Sequence, residues 1–216
     1  MAATVVTFTV QLGSGGFAIA RSVAEKLGYR YYDWEVTSQA AQMAGVAPDV
    51  VAASERVPGF IERMMRRLAA APAVPSDEAV IEPPAAMIGS AVQSLTSDDY
   101  RQFVERVVRE LAAAGEAVIV GHAAQAILKG QHGVFKVLVL GDPHRRAERL
   151  AAEQRTSVES ALSTVKQSDK DRAELFRRAY RIDWLDASLY DLTLNSDSVP
   201  AEAAIAAIVD SVKAGA

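Results

Sequence analysis

Short runs dominated by Val, Ile, Phe and Tyr recur at residues 4–10, 29–34, 116–120, 134–140 and 190–195. Runs of this length and composition predict strands. Between them the apolar residues recur about four apart. Residues 17–27 carry Ile19, Val23 and Leu27 on one helical face, and residues 98–114 carry Phe103, Val107, Val108 and Leu111, with Gly115 as the stop. Ser97, followed by Asp98 and Asp99, predicts the cap of that second helix. Strands that alternate with helices, several of them apolar throughout, predict an α/β fold with a parallel sheet covered on both faces.

The segment 69–84 breaks this rhythm with Pro72, Pro75, Pro83 and Pro84 among small residues, and prolines so spaced deny the backbone regular hydrogen bonding. It reads as part of a subregion, 45–97, inserted into a single domain covering residues 1–216; an ordinary surface excursion is the alternative. A chain of 216 residues, half of them hydrophobic, can bury a full core. The 23 Lys and Arg against 27 Asp and Glu leave a net charge of -4, which supplies no general field for nucleic acid or an anionic membrane. Any polyanion site must therefore be local. The absence of Cys excludes thiol chemistry, and His132 and His144 have no partner at metal-ligand spacing, so both read as surface residues and no resident metal is expected. The opening lacks the charged start and long apolar stretch of a signal peptide, and a cytoplasmic protein is expected.

The most informative stretch is Gln11-Leu12-Gly13-Ser14-Gly15-Gly16-Phe17, between the first strand and the first helix. A glycine turn in that position leaves several backbone amides pointing into one concavity, where the helix dipole also favours negative charge. Phosphate is the expected ligand; a tight turn that needs glycine only for its dihedrals is the alternative. Aligned with the Walker pattern G-x-x-x-x-G-K-[ST], the loop places Val10 at the first glycine, Gly16 at the lysine and Phe17 at the hydroxyl. Two parts that phosphoryl transfer by that route relies on are thereby missing.

The loop QLGSGGFAIA resembles that of the cytidylate kinase-like family, a branch of the nucleoside monophosphate kinases, which likewise reads G-S-G-G. Tyr31-Tyr32-Asp33, Val118-Ile119-Val120-Gly121, Ser168-Asp169-Lys170-Asp171-Arg172, Asp183-Trp184 and Tyr190-Asp191-Leu192 with Asn195-Ser196 follow in the family's order. The resemblance implies a three-layer α/β/α fold of P-loop kinase type, with a five-stranded parallel sheet, a monophosphate-binding insertion and an arginine-rich helical lid at 142–186. It also implies ATP and Mg2+ as cofactors and a small nucleotide as substrate. Gly13, Ser14, Gly15, Gly16, Asn195 and Ser196 would hold the ATP, and Asp33, Arg101, Gly121, His122, Asp169 and Asp183 the acceptor. Asp33 alternatively reads as the cap of a helix beginning at Glu35, and the 195–198 turn as a start capped by Ser198 with Pro200 in its first turn.

The lid region holds ten of the 23 basic residues: Arg145, Arg146, Arg149, Arg155, Lys166, Lys170, Arg172, Arg177, Arg178 and Arg181. Guanidinium forks suit phosphate oxygens, but interleaved acids also suit a solvated helix pair. Arg145, Arg149, Arg155, Arg172 and Arg178, together with Asp33, are the candidate catalytic residues, and the other cations are assigned to the solvated surface. Three departures from the family matter: arginines that commonly flank the loop are Val10 and Phe17 here, and the arginine after Gly121 is His122. A charge-assisted contact contributes roughly 1.5 to 3 kcal/mol, so three uncompensated losses remove several orders of magnitude of transition-state stabilisation. The expectations are thus phosphoryl transfer from ATP to CMP or dCMP or, alternatively, a catalytically impaired nucleotide-binding protein that signals to a protein partner.

Overall fold

In this computed structural model of the chain, residues 2–33 and 97–215 are described. Five parallel strands, β1 (Val5–Val10), β2 (Arg30–Tyr32), β3 (Ala117–Val120), β4 (Val134–Leu140) and β5 (Leu192–Asn195), form one sheet in the order β2-β3-β1-β4-β5. All five expected strands are present; β4 has the expected bounds, and the other four begin one or two residues later. β1 is central and all six of its residues are buried, as its unbroken β-branched run requires. Val5 to Phe8 pair with β3, and Val5 to Val10 with β4.

Side chains alternate across the pleat. Val6, Phe8 and Val10 face a core shared with Ile19 and Val23 of α1 (Gly16–Leu27) and Ile205, Ile208 and Val212 of α6 (Ala201–Ala214). The remaining described α-helices are α2 (Ser97–Ala114), the short α3 (Ala124–Ile127), α4 (Pro143–Gln154) and α5 (Val158–Tyr180). The α4 and α5 helices join through Ala147, Leu150, Ala151, Ala161 and Val165, with Leu12 of the glycine loop packed against that cluster. Asp142 caps α4, accepting the amides of His144 and Arg145, while Pro143 occupies a first-turn position where no amide donor is needed. Phe176, near the end of α5, stacks on the fully buried Trp184 that follows the helix, with centroids 6.3 Å apart.

The expected Ser198 cap is corrected: α6 begins at Ala201 with Pro200 as its cap and no side-chain hydrogen bond, because Ser198 lies two residues upstream of the cap and instead donates its amide to the Asn195 carbonyl. His132 and His144 are exposed, as expected. The chain divides into two compact units, residues 1–33 with 108–216 and residues 34–107. The α4 and α5 helices belong to the first, with the sheet. The proline segment 69–84, the residues of 45–97 before Ser97, the Phe103 side chain and any helix capped by Asp33 lie outside the described residues. No described helix is long and apolar enough to cross a membrane.

Candidate functional site

The chain leaves β1 for β2 on one side and reaches β4 on the other, so the carboxyl end of β1 is the switch point where open α/β sheets bind ligands. The glycine loop occupies that point. Gly13 (φ 77°) and the α1 cap Gly15 (φ 75°) are left-handed. A Cβ on Gly13 would stand 2.3 Å from the carbonyl oxygen of Arg146, so glycine is obligatory there. Among the described residues, the amides of Gly13, Gly15 and Phe17 have no acceptor, while that of Gly16 lies 3.4 Å from the buried Ser14 Oγ. Unsatisfied donors at the start of a twelve-residue helix make a nest whose geometry suits an anion.

The loop also shows why a Walker lysine is missing. A Cβ on Gly16 would lie 2.7 and 2.9 Å from the Val10 methyls and 3.0 Å from Val139 Cβ. Val10, where the Walker pattern has glycine, therefore fills the space that a side chain at position 16 needs. Phe17 is 41% exposed and carries no oxygen for a cation.

The arginines divide sharply. Arg146 is 1% exposed. Its Nε donates to the Gly141 carbonyl (2.8 Å), NH1 to the Leu12 carbonyl and Asp169 (3.2 Å each), and NH2 to the other Asp169 oxygen (2.6 Å). Arg149 donates from Nε to the Gly13 carbonyl and from NH2 to Asp197, both at 2.8 Å. Arg172, on α5, donates to the Val10 carbonyl at 2.5 Å and lies 5.2 Å over the Trp184 ring. Arg145 and Arg155 are exposed, and Arg178 is a surface residue 3.9 Å from Glu174 with 71% of its side chain in solvent.

Asp169, expected on the acceptor side, is the bidentate counterion of Arg146. Asp183 accepts the Leu185 amide in an exposed turn. Asn195 accepts the Asp197 amide, and Ser196 donates its hydroxyl to the Leu140 carbonyl. The side chain of Asp197 is 9% exposed. Burial pushes its carboxyl up, but hydrogen bonds from the Asp142 amide and Arg149, with the charges of Arg149 and Arg145, outweigh this and hold it below its ordinary value.

Across the switch point, Gly121, His122 and Ala123 follow β3 with φ of 79°, 54° and 54°. Two consecutive non-glycine residues in the left-handed region store roughly 1–3 kcal/mol each, strain that collects at functional sites. The turn brings His122 Nε2 to 2.7 Å from the Asp33 carbonyl oxygen. A carbonyl only accepts, so Nε2 carries the proton and donates. The Asp33 carboxylate accepts from the Tyr31 phenol, whose ring lies 4.8 Å from the Arg21 guanidinium. Burial, then the Asp33 charge, pushes the Tyr31 phenol up to about 12. Arg101 pairs with Glu105 at 3.2 Å on the part of α2 that belongs to the second unit.

The structure thus brings Gly13, Ser14, Gly15, Gly16, Arg149 and Arg172 together at one end of β1, and Asp33 with His122 at the β2–β3 edge. Sequence reasoning missed Arg146, Gln11 and Asp197. Arg146 had a signal, since it precedes Ala147 and stands four before Leu150 on the buried stripe of α4. Gln11, whose Oε1 accepts the Gly141 amide at 3.1 Å, and Asp197 had none.

The nest fits a phosphate chain: free donors converge at a helix start and the loop carbonyls are turned onto guanidinium groups. Position 17, where the Walker pattern has its hydroxyl, is phenylalanine and offers magnesium no oxygen, and no cluster of three or more His, Cys, Asp or Glu suited to a metal occurs among the described residues.

Known proteins support this picture. A cytidylate kinase of Natronomonas pharaonis is 29% identical over 117 residues, 54% of this chain and 61% of that one, so the chain spans about three fifths of that relative. A cytidylate kinase of Methanocorpusculum labreanum is 27% identical over 206 residues, covering 95% of this chain and 93% of its own length. A solved, uncharacterised protein of Eubacterium ventriosum shares the fold with a TM-score of 0.67 at 19% identity, over 97% of this chain and 98% of that one. The model of the cytidylate kinase-like family matches residues 5–198, and with its switch-point glycine loop and five-stranded order the chain belongs to that family of P-loop kinase fold.

Proposed function

We propose that the protein transfers a phosphoryl group from ATP to CMP, dCMP or a closely related nucleoside monophosphate. The observation that carries this reading is the glycine loop, whose Gly13, Gly15 and Phe17 amides have no acceptor among the described residues while its Leu12 and Gly13 carbonyls accept from guanidinium groups. These amides would donate to the phosphate oxygens of ATP, with the α1 dipole adding to the attraction. The adenine would lie toward Asn195 and Ser196, and the acceptor toward Asp33, Gly121 and His122. Asp33, held by Tyr31, would orient the acceptor phosphate or take its proton. Exposed Arg145, Arg155 and Arg178 supply cations for the transferred group. Magnesium would arrive with ATP and offset phosphate charge; this chain's contribution is to bind and orient the phosphates.

A second reading has its own support. With Gly16, Phe17 and His122 at positions that carry cations in the Walker pattern or in the family, the site has fewer fixed charges than phosphoryl transfer ordinarily uses. On that reading the protein binds nucleotide and passes a signal to a partner. Purified protein is incubated with Mg2+, ATP and each monophosphate, ADP formation is followed, and the melting temperature is recorded with each nucleotide. Turnover with CMP or dCMP supports the kinase, and stabilisation without turnover supports the binding protein, because a ligand selective for the native state stabilises it by mass action. Neither effect would overturn both.

A further inference from the structure

Four successive carbonyls at the end of β1 and in the glycine loop have donors. Val10 accepts from Arg172, Gln11 from the Ser14 amide, Leu12 from Arg146 and Gly13 from Arg149. Three of those donors are guanidinium groups reached from α4 and α5, 134 to 162 positions along the chain. A trans peptide unit is planar, with its N–H directed opposite to its C=O. A guanidinium that holds the Leu12 carbonyl therefore aims the Gly13 amide the other way. Arg149 holds the Gly13–Ser14 unit, whose amide donates to the Gln11 carbonyl, and Arg172 the Val10–Gln11 unit, whose amide donates to the Val139 carbonyl, so these two fix the bend of the loop.

We propose that Arg146, Arg149 and Arg172 are positioning residues for the anion-binding loop, gripping its carbonyls and so fixing the bend that leaves the Gly13, Gly15 and Phe17 amides open to the phosphate. Two of the three are themselves held by carboxylates, Arg146 by Asp169 and Arg149 by Asp197. Their role is thus orientation more than charge. The clamp compensates for position 16, where Val10 and Val139 leave no room for a side chain to reach the phosphates. A loop without that lysine binds through amides alone and depends more heavily on their alignment; hydrogen bonds to both ends of a peptide unit also polarise one another. This inference deepens the nucleotide-binding reading and rests on it for the identity of the ligand.

The test uses Arg149, because Arg146 is buried enough that its loss threatens folding. The full chain is prepared as wild type, Arg149→Met and Arg149→Lys. Amide 1H–15N shifts of Gly13 and Ser14 are recorded without ligand, and binding of ADP and of inorganic tripolyphosphate is measured by calorimetry. The expected result is that both amide signals move in Arg149→Met and return toward wild type in Arg149→Lys. Affinity for both ligands should fall about tenfold or more in the Met variant, with partial rescue by Lys. Unmoved amide signals would overturn the clamp, as would moved signals with wild-type affinity. If wild type binds neither ligand, the nucleotide reading falls, and the ligand-free amide shifts still decide whether Arg149 holds the loop.

Discussion

The inner and outer arginines of α4 and α5 come from the same basic stretch and perform different work. Arg146, Arg149 and Arg172 reach backbone carbonyls of β1 and the loop, whereas Arg145, Arg155 and Arg178 stand in solvent. A guanidinium that fastens protein backbone spends its donors on carbonyls and shapes the loop. The density of arginine in a segment therefore does not count phosphate contacts; what matters is which acceptors each side chain reaches once the helices have packed.

The largest break in this contrast is Arg146→Met. It leaves Asp169 without its bidentate partner and the Gly141 and Leu12 carbonyls without their guanidinium donor. Losing one member of a buried pair costs about 3–5 kcal/mol, and because Asp169 keeps 25% of its side chain in solvent the lower end is expected. Urea unfolding at neutral pH measures it.

Gly16→Lys comes next. Forcing a side chain against Val10 and Val139 should cost about 1–3 kcal/mol, and adding Val10→Gly removes the two shortest contacts. A double-mutant cycle should give a favourable coupling of about 0.5–3 kcal/mol; purely additive effects would show that Val10 does not close the lysine position.

Asp197→Asn tests the outer link of the clamp through pH. A carboxyl whose folded pKa lies below its ordinary 3.8 contributes stability that is present above that value and lost as pH falls through the folded pKa. The wild type should thus lose part of its unfolding free energy below about pH 4, and Asp197→Asn should start lower at neutral pH with a shallower acid slope. Chemical unfolding across the acid range reads both.

Arg178→Ala should change least, by under about 0.5 kcal/mol, because its pairing with Glu174 is exposed and long. A loss comparable to that of Arg146→Met would erase the distinction between inner and outer residues. In turnover assays, by contrast, Arg178→Ala tests whether an outer cation serves the transferred group.

Much of the architecture was legible because it is local. The run 4–10 could only be a strand buried on both faces, and Gly13 to Gly16 between strand and helix could only be a turn with amides at a helix start. The β2–β3 edge was legible in part: Asp33 and His122 were both marked, but not that His122 donates to the Asp33 backbone or that Tyr31 holds the Asp33 side chain. Arg146 was assigned to the solvated surface, although its place on the stripe of Ala147, Leu150 and Ala151 points inward.

What the amino-acid order determined alone was the succession of strands and helices and the place of a glycine turn at a helix start, since side-chain periodicity and left-handed glycines act over a few residues. Only the tertiary structure decided which guanidinium groups hold that turn, that Val10 closes position 16, and that Asp197 anchors Arg149. Those relations join residues far apart in the chain, and hydrogen bonding and close packing act only after the fold has brought the partners within a few ångströms.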